Sequence, residues 1–166
     1  MKKSFLFFLL LLTTLNTLAQ KDSLILAPYL RFPTVPPLRL LLTDSTTLFT
    51  KNDLKNKKAI LIILFSPDCE HCKHETEEII KNKEQLKKIQ IVMATMLPFD
   101  KMKQFYEKYE LRNIENLVVG QDIYFILPSF YHIKNFPYNA MYDKKGKLIT
   151  TVEGVMTIEK IVNTFK

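Results

Sequence analysis

Ala59-Ile-Leu-Ile-Ile-Leu-Phe65, followed by Ser66-Pro-Asp-Cys69-Glu-His-Cys72 and Lys73-His-Glu-Thr-Glu-Glu78, is the stretch that decides how the rest of the chain is read. The apolar run from Ala59 to Phe65 is too short for a helix or a membrane span. It has the length and branching of a strand buried on both faces, closed by a Ser-Pro stop. Beyond it, Cys72, Thr76, Ile79, Ile80 and Leu86 fall on one helical face, with Asp68 the expected N-cap. The unit is therefore strand, tight turn, helix. Cys69 falls in the first helical turn, where unpaired backbone N–H groups and the helix dipole stabilise a thiolate. Cys69 and Cys72 are the only cysteines of the chain. A two-residue spacer closes too small a loop to staple a fold, so the pair points to redox chemistry.

The N-terminus bears on where that chemistry happens. Lys2 and Lys3 precede the apolar run Phe5–Leu12, and Thr17-Leu-Ala19 has the small-x-small pattern of a cleavage site, so residues 1–19 read as a signal peptide. The apolar core of this segment is well short of the roughly 20 residues a spanning helix needs. No cysteine near the site supports a lipid anchor. The protein is expected to be exported, and periplasmic where the source has two membranes. Of 24 basic residues two lie in the leader, leaving 22 against 17 acidic ones. The sequence spreads these charges along helices and turns, which reads as a solvated surface with no nucleic-acid partner.

Residues 20–37, with Pro28, Pro33, Pro36 and Pro37, read as an extended lead-in to one domain over 38–166. Leu38–Leu42 and Thr46–Phe49 form a hairpin, and Thr50 with Asp53 forms a capping box. Ile89–Met96 is a second buried strand. Asp100 is the expected cap of a helix carrying Met102, Phe105, Tyr106 and Tyr109 on its inner face. Leu117–Val119 is a short strand, and 123–133 a helix that Pro128 bends or divides. Tyr138–Tyr142 and Lys147–Val152 pair across a turn containing Gly146, and Thr157 caps a last helix.

This order gives an α/β fold: a central mixed sheet with helices on both faces, an N-terminal β-hairpin and an extra helix-strand insert around 100–119. Together with the CxxC and the Phe136-Pro137 pair before Tyr142-Asp-Lys-Lys-Gly146, it resembles the thioredoxin fold. More narrowly, it resembles the exported TlpA-like thiol-disulfide oxidoreductases related to cytochrome-maturation thioredoxins. The resemblance implies an enzyme exchanging disulfides through Cys69 and Cys72 without metal or other cofactor. It also implies that Pro137 is the family's cis-proline, with Phe136 presenting its backbone to substrate. Glu75 matches a glutamate that many such relatives carry near the active site; its other reading is a solvated helix carboxylate. The implied partners are exported proteins with disulfides, apocytochromes among them, and a membrane thiol electron donor, with the protein acting as a monomer.

The chain departs from the family in lacking the tryptophan before CxxC, where Phe65-Ser-Pro-Asp68 stands. It also lacks the buried aspartate of many thioredoxins, whose place falls at Ile63. His71, directly before Cys72, resembles the arrangement in strongly oxidising members, where an imidazolium favours the first thiolate, whereas Glu70 and Asp68 oppose it, so a potential between the reducing and oxidising extremes is expected. Three other activities compete with a reductase. A disulfide oxidant would use the same residues. Copper or other metal binding would draw on Cys69, His71, Cys72 and His74, but helical geometry points the histidines away from the cysteine pair. A peroxidase needs P-x-x-x-T-x-x-C, and Ile62 and Ser66 break that motif. His132 is read as structural.

Overall fold

The computed structural model describes residues 26–166; the proposed signal peptide and Gln20–Ile25 lie outside them. Among the described residues seven strands form one mixed sheet: β1 (Arg39–Leu42), β2 (Leu48–Thr50), β3 (Ala59–Leu64), β4 (Ile89–Thr95), β5 (Leu117–Asp122), β6 (Tyr138–Tyr142) and β7 (Leu148–Glu153), in the order β2-β1-β5-β4-β3-β6-β7. The three central strands β3, β4 and β5 are parallel, and the inner strand of each flanking hairpin, β1 on one side and β6 on the other, pairs antiparallel with its neighbour among them. The inserted strand β5 separates the N-terminal hairpin from β4.

All six side chains of β3 and all seven of β4 are buried, as expected for strands covered by helices on both faces. Their alternation sorts the core into two layers. Leu61, Ile63, Ile91, Met93 and Met141 pack with α2 (Glu70–Lys81), α3 (Lys83–Leu86), α4 (Phe99–Lys108) and α6 (Ile158–Thr164). Ile60, Ile62, Leu64, Val92 and Ala140 face α5 (Ile126–Tyr131) and Tyr29 of α1 (Pro28–Arg31). Fully burying each aliphatic side chain contributes about 1.5–3 kcal/mol. Gly120 is required where β5 meets β1, because a Cβ there would lie 2.7 Å from Leu40 Cβ.

Several local expectations change. The lead-in is not uniformly extended: Pro28 opens the single turn α1, its fixed φ and missing N–H suiting a first helical position. The lead-in also joins the domain before residue 38, since Thr34 bridges Lys147 and Val35 is buried. The cysteine helix stops at Lys81, where Asn82 leaves helical geometry (φ −113°, ψ 22°) before α3. Pro98, not Asp100, precedes α4, and Asp100 sits in its first turn. The helix expected over 123–133 shrinks to α5, because Phe125 is left-handed (φ 54°) and the Asp122 carboxylate binds the N–H groups of Ile126 and Leu127. No helix among the described residues is long and apolar enough to cross a membrane.

Candidate active site

The turn after β3 delivers Cys69 to the start of α2. Ser66 shapes that turn: its carbonyl accepts the Cys69 N–H at 3.1 Å and its hydroxyl accepts the Asp68 N–H at 3.3 Å. The N-cap of α2 is Cys69 rather than Asp68, and its sulfur accepts the Cys72 N–H at 3.4 Å. A cap group receives an orphan N–H of the first turn, and here that N–H, from Cys72, is directed at the sulfur itself. Cys69 is partly exposed, Cys72 is 1% exposed, and both are free thiols. Because β6 pairs antiparallel with β3, with Tyr138 opposite Leu64, the Phe136-Pro137 segment arrives at the same end of the sheet. Its peptide bond is cis, and the Phe136 carbonyl lies 3.9 Å from Cys69 Sγ.

Beneath the cysteines lies Glu75, 1% exposed. The i, i+3 spacing puts it on the buried face of α2 with Cys72. Its Oε1 accepts Met156 N–H at 2.9 Å and Asn139 Nδ2–H at 3.2 Å. Burial pushes its carboxyl up to about 7, against the lowering effect of those two bonds. The Cys72 thiol is pushed up as well, first by burial, then by its contact with Cys69 and the nearby Glu75 charge.

A family model described as a thioredoxin-like domain matches residues 49–166. The chain belongs to the thioredoxin-like family. Among solved structures, this thioredoxin-like chain is similar to the exposed lipoprotein thioredoxin Etrx1 of Streptococcus pneumoniae, at 20% identity, TM-score 0.61, covering 77% of this chain and 96% of that one. StoA from Bacillus subtilis gives 19%, 0.58, 80% and 98%. A secreted Mycobacterium tuberculosis disulfide oxidoreductase, homologous to DsbE of E. coli, gives 17%, 0.62, 81% and 96%. At these identities the likeness is one of fold. No curated protein matches the chain by sequence.

Around the thioredoxin-like cysteine pair, the two acidic residues set against the Cys69 thiolate are each held by a lysine. Glu70 binds Lys73 at 2.6 Å, and Asp68 binds Lys101 from α4. His71 is exposed on the rim. His74 instead lines a separate groove of about 440 Å³ between α2 and α6, with Glu78, Asn82, Val155 and Met156. Among the described residues, no three His, Cys, Asp or Glu side chains converge to hold a metal ion. The structure thus brings together Cys69, Cys72, Glu75, Phe136 and Pro137, with Asp68, Glu70 and His71 around the opening. Sequence reading missed Asn139. The signal was present, since a polar residue that shares a strand face with Met141 in an otherwise apolar layer demands a partner.

Proposed function

We propose that the protein is a thiol-disulfide oxidoreductase of the cell envelope that reduces disulfides of exported proteins. The observation that carries this reading is the unequal pair: an accessible sulfur at a helix N-cap, and a second thiol buried over a carboxyl group. Cys69 attacks a substrate disulfide, forming a mixed disulfide and releasing one substrate thiolate. Cys72 then attacks Cys69 Sγ, releasing the second thiolate and leaving a Cys69–Cys72 disulfide. The electron pair passes from the two cysteines to the substrate. Glu75 takes the Cys72 proton as that thiol becomes the nucleophile. The Phe136 carbonyl, beside Cys69, accepts a backbone N–H of an extended substrate segment, with Pro137 following across the cis bond.

One feature supports the reducing direction: the buried carboxyl below Cys72 disfavours a second thiolate. Strong oxidants of this chemistry depend on a stabilised reduced form. Envelope location is supported by the apolar leader and by relatives described as exposed or secreted. A membrane thiol donor and substrates such as apocytochromes follow from the same reading. The test is covalent trapping: Cys72→Ala is expected to accumulate mixed disulfides with exported proteins, and Cys69→Ala to accumulate none. Equal trapping by both variants overturns the roles. A reduction potential near or below about −230 mV fits a reductase, and one near roughly −120 mV an oxidant. Because the chain has no tryptophan, mass-shift alkylation reports the redox state.

A further inference from the structure

Asn139 is fully buried on β6 and bridges two elements, its Nδ2 donating to Glu75 Oε1 at 3.2 Å and to the Gly154 carbonyl at 3.0 Å. Its own Oδ1, and Glu75 Oε2, are buried without a hydrogen-bond donor among the described residues. Two orphan acceptors on side chains that already touch are a defined deficit: the pair lacks one hydrogen. With Glu75 ionised, both oxygens are acceptors and neither can satisfy the other. With Glu75 protonated, the acid has one O–H to give, and Asn139 Oδ1 is a buried, unpartnered acceptor on the side chain its other oxygen already binds.

We propose that Asn139 is a positioning residue for proton transfer from Cys72, holding the Glu75 carboxylate through its amide N–H and receiving the O–H of the acid through its amide oxygen. This rests on the roles assigned above to Cys69, Cys72 and Glu75. The step is balanced: Cys72–SH and Glu75–COO⁻ become Cys72–S⁻ and Glu75–COOH, the thiolate closes the Cys69–Cys72 disulfide, and the Glu75 proton later neutralises a departing substrate thiolate. Without Asn139 the newly formed acid sits in an apolar layer with its O–H unpaired.

The surroundings leave this pair in control of Glu75. From its own helix Cys72 faces it, from β6 the neutral Asn139, and from the loop before α6 the Met156 N–H. No salt bridge joins it to a cation among the described residues. The carboxyl titrates near the pH at which thiol exchange operates.

The experiment mixes the reduced full-length protein with excess nitrothiobenzoate disulfide and follows release of the coloured thiol across pH. The first phase scales with reagent and reports attack by Cys69; the second, independent of reagent, reports resolution by Cys72. In the wild type the second phase is expected to inflect near Glu75's titration, and Glu75→Gln to abolish that inflection. Asn139→Ala removes a charge-assisted bond to the carboxylate, stronger than the neutral bond to the acid. Its inflection is expected to move up by about one pH unit, making the second phase roughly tenfold slower on the acid side. Asn139→Asp, close in size, sets a second carboxyl against the first and moves the inflection further up. A merely structural Asn139 would lower thermal stability in either variant and leave the inflection in place; that result overturns the proposal. Loss of the inflection's dependence on Glu75 overturns the Glu75 role itself, and a missing first phase overturns the Cys69 assignment.

Discussion

Glu75→Gln is expected to stabilise the protein at alkaline pH, although it removes a proposed catalytic group. The Glu75 carboxyl is raised from 4.5 to about 7 in the folded protein, chiefly by burial. Between those values the folded chain binds a proton that the unfolded chain has lost. Stability therefore falls as pH rises through this window: it is fully present below about 4.5 and lost above about 7. At about 1.4 kcal/mol per pH unit of difference, the ionised carboxylate costs about 3 kcal/mol above neutrality. The amide of the variant is never ionised, keeps an oxygen for Met156 N–H and Asn139 Nδ2, and brings an N–H for the orphan Asn139 Oδ1. The assay is urea unfolding of both proteins in their dithiol forms, followed by circular dichroism near pH 5 and pH 8. Wild type and variant should differ little at the acid end, with the variant about 2–3 kcal/mol more stable at the alkaline end. A stability difference that is the same at both pH values refutes the reasoning, because it means that Glu75 is not titrating against burial.

Two further expectations concern the rim and the sheet. Replacing both Lys73 and Lys101 by Met releases the Glu70 and Asp68 charges beside Cys69; stability should change by less than about 1 kcal/mol, while the pH profile of Cys69 alkylation moves to higher pH. An unmoved profile means the ion pairs do not reach the thiolate. Gly120→Ala drives a Cβ to 2.7 Å from Leu40 Cβ and 3.2 Å from the Leu41 carbonyl. Overpacking of this kind costs about 1–3 kcal/mol, read as a lower urea midpoint with unchanged exchange activity per folded molecule.

Much of this thioredoxin-like fold is legible in the sequence because its signals are local. The run Ala59–Phe65, the CxxC at the following helix start, the turn at Gly146 and the Thr157 cap each specify an element within a few residues. So does the Thr50–Asp53 capping box, which the structure contains. The inner-face positions of α4 follow from periodicity, and the burial of β4 from its largely apolar run. What escaped was set by competition among neighbours. Asp68 is a good N-cap by type, but Lys101 of α4 takes its carboxylate and the cap passes to Cys69. The lysines are another case. Spread along the sequence, Lys51, Lys55, Lys57, Lys58, Lys144 and Lys145 all line one cleft of about 320 Å³ at the end of β3 away from Cys69. Two separate basic segments meet there because Ile60 pairs with Tyr142.

The sequence by itself determined the chemistry: two thiols three residues apart, placed by a buried strand at the start of a helix, and a carboxylate one turn on. Those are short-range facts, set by side-chain identity and helical period. Only the tertiary structure decided the environment of each group. Pairing of β6 with β3 sets the Phe136 carbonyl beside a sulfur 67 positions earlier and Asn139 against Glu75, 64 positions earlier. Burial in the layer so formed lifts the Glu75 and Cys72 protons. A titration depends on dielectric and on partners from distant strands, and neither is written in the residues next door.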